Sequence, residues 1–161
     1  MSEPLIIVDH STMRTNQAVI ILLLLLAFIF NVPLLVTFTA VVILIGTGLK
    51  KPGFLPVYNL ILLPFGLLKP EPLLDNLEPH CFAQGFGGVM LVLASISLTF
   101  GSNILGWTLV WLVIALAALN LFVGFCVGCA VYYWFNRLNV PGFNLSPPTG
   151  FIPGMRPKTR Q

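Results

Sequence analysis

Residues 18–49 read AVIILLLLLAFIFNVPLLVTFTAVVILIGTGL, and how this run divides decides the fold. Apart from Asn31, Thr37, Thr39 and Thr47 it carries no polar side chain. As a single helix it would be roughly 48 Å long, against a hydrocarbon core of about 30 Å. Asn31-Val32-Pro33 supplies a break, because the proline ring disfavours helix at the residue before it. The run therefore predicts two helices, 17–30 and 34–49, joined by a tight turn. Each falls short of the usual span of about 20 residues, so a thinned bilayer or a turn held at mid-depth is expected.

Composition supports a membrane setting. Of 161 residues, 57% are hydrophobic and 8% charged, and the mean hydropathy is +0.96. Soluble domains carry about 25% charged residues. A water-facing surface cannot be covered from this composition, and the length suits one domain. Arg14 ahead of an apolar run resembles the start of a signal peptide. No small-x-small cleavage site follows and a second apolar run begins at once, so cleavage is not expected.

Outward from this run, Met1–Asn16 reads as a polar tail with helix-capping residues from Ser11 to Asn16, and Asp9-His10 as its solvated part. Lys50-Lys51-Pro52-Gly53 closes the second helix with cations, then Pro and Gly. Phe54–Leu68 is apolar but holds Pro56, Pro64 and Gly66. It is too short to span and reads as an interfacial or re-entrant segment. Lys69–His80 is a polar loop with three acids, Glu71, Asp75 and Glu78. Phe82–Phe100 predicts a third span with small residues for close packing. Gly101-Ser102-Asn103 is a turn, and Trp107–Phe135 the last and longest apolar run. Trp107 and Trp111 mark one interface, Tyr132, Tyr133 and Trp134 the other. The expected fold is an all-α membrane protein with four transmembrane helices plus a short interfacial or re-entrant apolar segment. Residues 1–138 would form the membrane domain and 139–161 a Pro/Gly-rich basic tail of extended, mobile chain.

Charge sets the orientation. With four spans, all eight Lys and Arg fall in the N-terminal tail, the middle loop and the C-terminal tail, which share one side. Cytoplasmic flanks collect such residues, so both termini are expected in the cytoplasm. A fifth span through Phe54–Leu68 would put Arg137, Arg156, Lys158 and Arg160 outside, against that rule.

Chemistry concentrates in Gly124-Phe125-Cys126-Val127-Gly128-Cys129, near the end of the last run. Thiols three residues apart share a helix face with Cβ atoms about 5–6 Å apart, and a disulfide needs about 3.5–4.5 Å. Gly124 and Gly128 could permit the adjustment. A redox dithiol is one reading, and a tight packing face, with Gly124-x-x-x-Gly128 as a small-xxx-small motif, is the other. If Gly124 breaks the helix, Cys126 gains a new helix N-terminus and is the better attacking thiol. If the helix continues, Cys129 lies nearer water and Arg137 and takes that role. Cys81 is a third thiol on the same side, able in principle to resolve a mixed disulfide. His80, Cys81, Cys126 and Cys129 together offer a weaker zinc reading, and Ala130 after Cys129 excludes c-type haem. Asn120 is a polar residue inside the last run. No carboxylate or Arg lies within a span, which disfavours ion-coupled transport, and no nucleotide-binding or hydrolase motif is present.

Val8-Asp9-His10, Arg14-Thr15-Asn16-Gln17, Phe82-Ala83-Gln84 and Asn120 ahead of Gly124–Cys129 resemble a family of small bacterial membrane proteins known as a domain of unknown function, DUF4395. The likeness runs to about Arg137. It implies no activity, but it implies that the Asp9–Gln17 segment and the thiol pair recur. That family more often has a basic residue at the place of Cys81, which argues against a shared role for this thiol. The resulting expectation is a thiol–disulfide or sulfur-relay protein, with Cys126 attacking, Cys129 resolving and a thioredoxin-like or sulfurtransferase protein as partner. The alternative is an accessory subunit of a larger membrane complex whose Gly/Cys face packs helices. No bound cofactor, metal or nucleic acid is expected; the expected setting is the lipid bilayer of the bacterial inner membrane, with both termini cytoplasmic.

Overall fold

The computed structural model describes residues 6–66, 68–147 and 152–156. The chain begins with a strand, β1 (Ile6–Asp9), and passes directly into α1 (His10–Ile29). Asp9 caps that helix: one of its carboxylate oxygens accepts from Ser11 N at 3.0 Å and from Glu71 N at 2.9 Å. A capping carboxylate satisfies amides that the first helical turn leaves without partners. The helix thus starts a full seven residues earlier than 17, and its 20 residues reach about 30 Å, the thickness of a hydrocarbon core. Several polar side chains of its first turns are paired within the protein. Ser11 Oγ donates to Lys69 O at 2.7 Å, Thr15 Oγ1 to Ser11 O at 2.9 Å, and Asn16 Oδ1 accepts from Phe54 N at 2.9 Å.

After the Asn31 turn, α2 (Pro33–Gly48) opens with its proline in the first turn, where the missing N–H costs nothing. A short helix, α3 (Leu55–Val57), runs into a π-helical turn over Tyr58–Leu62 and does not cross the bundle. Strand β2 (Pro72–Asp75) pairs antiparallel with β1, Ile6 opposite Asp75 and Asp9 opposite Pro72. This two-stranded ribbon has no counterpart in the sequence reading. Helix α4 (Leu77–Thr99) is followed by a turn at Gly101 and by α5 (Asn103–Ala118), which continues as a π-helical turn over Leu119–Val123.

Helices α1, α2, α4 and α5 form an antiparallel four-helix bundle, each packed on two neighbours in a ring. Leu24, Ala27, Val36, Ala40, Leu91, Ala94 and Val110 are all but inaccessible at its centre. The outward faces are equally apolar: Leu22, Phe38, Ile45, Leu93, Ile96, Leu105 and Trp111 are exposed. A helix apolar on every side belongs in lipid. Three helices, His10–Ile29, Leu77–Thr99 and Asn103–Val123, are long and apolar enough to cross a membrane, and α2 is a shorter apolar helix. The all-α membrane fold expected from the sequence is what the chain forms.

The last apolar run departs from expectation. It is not one helix to Phe135. Gly124 adopts a left-handed conformation, φ +75°, and stops the helix there. A separate helix, α6 (Val127–Arg137), starts three residues later. It is amphipathic, burying Cys129, Tyr132 and Tyr133 and exposing Val131 and Trp134, so Tyr132–Trp134 do not end a span. The Gly124-x-x-x-Gly128 packing face is also lost, since Gly124 is not helical. Gly128 alone makes a close approach, against Ala83 of α4. Part of the segment expected to be mobile is packed: Leu145 is buried against Tyr132 and Tyr133, and Asn76 Nδ2 donates to Ser146 O at 3.0 Å.

Candidate functional site

Residues 6, 75, 125 and 155 meet at one end of the bundle through the β1–β2 ribbon and an antiparallel bridge between Phe125 and Met155. The thiol pair lies here. Cys126 and Cys129 form a disulfide with Cα atoms 5.2 Å apart. Cys126 is outside the helix, in extended conformation at the N-cap of α6, and its Sγ accepts from Cys129 N at 3.2 Å. The adjustment that an unbroken helix would have required is thus made by ending the helix before the pair. A sulfur at an N-cap sits where unpaired amides and the helix dipole favour negative charge. This is the broken-helix arrangement that the sequence left open as one of two, with Cys126 at a new helix N-terminus.

Cys129 faces α4. Its Sγ is 3.5 Å from His80 Nδ1, and His80 Nε2 is 2.9 Å from Asp75 Oδ2. With Nε2–H donated to the carboxylate, Nδ1 presents its lone pair to the sulfur. His10 Nε2 approaches the same Asp75 oxygen at 3.2 Å, an ionic contact off hydrogen-bond geometry, and its ring meets His80 edge-on at 5.8 Å. Asp75 is 5% exposed, and burial works to raise its pKa. The His10 and His80 rings and the Asn76 amide outweigh that and hold it well below the usual carboxylate range. Around this relay, Tyr132 donates to Glu78 Oε2 at 2.8 Å; burial and that carboxylate push the phenol up to about 12. Asn76 Nδ2 also reaches Tyr133 Oη at 3.2 Å.

The pair is covered. Cys126 is 6% and Cys129 3% exposed. Cys126 N donates to Gly154 O at 2.8 Å, and Arg156 N to Gly124 O at 2.9 Å, so residues 152–156 lie across the helix break. Arg156 lines a small cavity of about 20 Å³ together with both cysteines. A larger cavity of about 140 Å³ adjoins it between α1, α4 and α5, with Cys126 on its wall.

Of the residues singled out in the sequence, Cys126, Cys129 and His80 come together, and Asn120 lines both cavities. Cys81 is not disulfide-bonded and lies on the wall of the larger cavity. It belongs to neither cluster of metal-capable side chains among the described residues, which are His80–Cys126–Cys129 and His10–Asp75–His80. The four-ligand zinc set including Cys81 is therefore not assembled. Sequence reasoning missed His10 and Asp75, read as a solvated tail and a loop acid. The signal was present in Asp9: a strong N-cap places the next residue on a helix, facing the bundle end.

A family model described as "Domain of unknown function (DUF4395)" matches residues 8–137, which include every residue of the relay. Comparison with curated proteins and with solved structures gives no match.

Proposed function

The chain belongs to the DUF4395 family, whose description assigns no activity, and we propose that it is a membrane thiol–disulfide oxidoreductase acting through Cys126 and Cys129. The observation that carries this reading is the asymmetric environment of the two sulfurs. One sits on a helix N-cap, and the other faces a histidine oriented by a buried carboxylate. A packing pair needs neither, so this asymmetry favours exchange chemistry over the role of accessory subunit.

In the oxidising direction a partner thiolate attacks Cys126 Sγ. The Cys126–Cys129 bond breaks and Cys129 leaves as a thiolate; His80, protonated at Nδ1 from solvent with Asp75 beside its Nε2–H, gives it a proton. The partner's second thiolate then attacks its own sulfur in the mixed disulfide. Cys126 leaves as a thiolate held by the α6 amides, and two electrons have passed to the pair. In the reducing direction Cys126 attacks and Cys129 resolves, with His80 accepting the Cys129 proton. The partner of either reaction is a thioredoxin-like dithiol protein.

Orientation follows from charge. The relay is at the end of the bundle that carries Arg14, Lys50, Lys51, Lys69, Arg137 and Arg156, while the turns at the other end carry no cation, so we place this end in the cytoplasm of the inner membrane.

Cys129→Ser should trap a mixed disulfide on Cys126 when its thiolate attacks the disulfide of an oxidised partner, seen by non-reducing electrophoresis. Cys126→Ser should trap none. A crosslink only in Cys126→Ser reverses the roles, and full activity of the double alanine variant removes the reading. A second reading has its own observation: on reduction, His80 Nδ1 and both sulfurs lie within 4.8 Å of one another, and metal-bound histidines commonly donate their other nitrogen to a carboxylate. Zinc bound stoichiometrically by the reduced protein and lost on oxidation would favour it.

A further inference from the structure

A dithiol that is oxidised repeatedly needs an electron acceptor, and the cavity beside Cys126 has the shape and position for one. We propose that it holds the head group of a lipid-soluble quinone, which takes the electrons from the reduced pair; this rests on the thiol-exchange reading above.

Four observations support the assignment. The cavity measures about 140 Å³, and an apolar cavity of about 150 Å³ is known to admit one benzene ring. Its wall is largely apolar, with Ile20, Met90, Val113 and Leu116, yet Cys126 of the thiol pair is part of it. Phe86 belongs both to that wall and to the exposed outer face of α4, at 49% exposure, so the rim reaches the surface that faces lipid. Finally, Gln17 is on the cavity wall, and its buried Oε1 has no hydrogen-bond partner. A buried unpaired acceptor is costly, and a hydroquinone hydroxyl would satisfy it. The Gln17 and Asn120 amides can likewise donate to quinone carbonyls.

The chemistry balances. Cys126 loses its proton to solvent, and its thiolate adds to an electron-poor ring carbon, forming a C–S bond. Cys129, its proton taken by His80, attacks Cys126 Sγ. The S–S bond forms, the C–S bond breaks, and its electron pair enters the ring. The hydroquinone dianion takes one proton from His80 and one from solvent. Two thiols and a quinone become a disulfide and a hydroquinone.

Gly87 provides the test. It is on the cavity wall, and a Cβ there would meet nothing within 4 Å, so a larger side chain fills the space without displacing a neighbour. The full-length protein in detergent is reduced with dithiothreitol, freed of it anaerobically, and mixed with decylubiquinone. Quinone absorbance and free thiols are followed together. The wild type should consume one quinone per disulfide formed, and Gly87→Leu should do so about tenfold more slowly or worse. Reduction of its disulfide by dithiothreitol should be unchanged. Decylubiquinone should raise the melting temperature of the wild type and not of Gly87→Leu. A pair that opens and closes with dithiothreitol but never reduces quinone overturns this inference and leaves the thiol reading intact. A pair that never opens overturns both. Equal quinone rates in wild type and Gly87→Leu overturn the cavity assignment.

Discussion

Gly128→Ala adds one methyl group where α6 meets α4. An ideal Cβ at Gly128 lies 2.5 Å from Ala83 Cβ and 2.7 Å from Ala83 Cα. Carbon atoms pack at about 3.5–4.0 Å, so the helices must part by about 1 Å. Ala83 has no rotamer to yield with, so the strain falls on the backbones. Overpacking of this kind costs about 1–3 kcal/mol. At about 2–4 °C per kcal/mol for a chain of this size, the melting temperature should fall by several degrees. The same displacement carries Cys129 Sγ away from its 3.5 Å contact with His80 Nδ1, to about 4.5 Å, beyond hydrogen-bond reach. Stability and thiol exchange should therefore fall together. Gly87→Ala is the control, since its Cβ meets nothing and Ala is favoured over Gly in a helix by about 1 kcal/mol. Heating in detergent followed by fluorescence-detected gel filtration measures the first effect, and exchange with a chromogenic disulfide the second. A Gly128→Ala protein as stable as wild type would show that α6 does not dock on α4 as described.

Asp75→Asn should destabilise the protein at neutral pH. A carboxylate whose folded pKa is depressed contributes stability that is present above its unfolded value of about 4 and lost as pH falls toward the folded value. The difference in melting temperature between wild type and Asp75→Asn should thus be largest above pH about 4 and shrink below it; a constant difference would contradict the ionised state of Asp75. Gly154→Ala should lift the covering segment, because its Cβ would lie 2.8 Å from Cys126 O and 2.9 Å from Ala130 Cβ. Faster reduction of the disulfide by a soluble phosphine is expected, and an unchanged rate would mean that residues 152–156 do not limit access. A reporter fused after Gln161 should be active in the cytoplasm only, and activity outside it would reverse the proposed orientation.

The bundle was legible because its punctuation is local. Asn31-Val32-Pro33 and Gly101-Ser102-Asn103 divide apolar runs with residues whose backbone preferences are strong, and α2 and α5 begin within a few residues of where these signals put them. The ends at the site were not legible. Ser11, Thr15 and Asn16 look like tail residues until their partners, Lys69 O, Ser11 O and Phe54 N, are in place. The thiol pair was found and its alternatives stated, but composition alone could not decide between them. Leu119–Phe135 is apolar on both sides of the break, and only the left-handed Gly124 separates a span from an interfacial helix. The His80–Asp75 relay depends on the β1–β2 ribbon, and four-residue strands without alternating polarity leave no pattern to read.

The β1–β2 ribbon also sets an order of events. His10 leaves the ribosome before Asp75 and His80, and these before Cys126 and Cys129, yet all five converge on one site. Chains emerge at about 5–20 residues per second, so the early histidine waits several seconds for its thiols. Until α5 has inserted and α6 has docked, the cysteines have no base and no cap, and a half-inserted chain offers only unactivated thiols. The assembled site is thereby a late product of folding: it exists only in a molecule whose every span has found its neighbours.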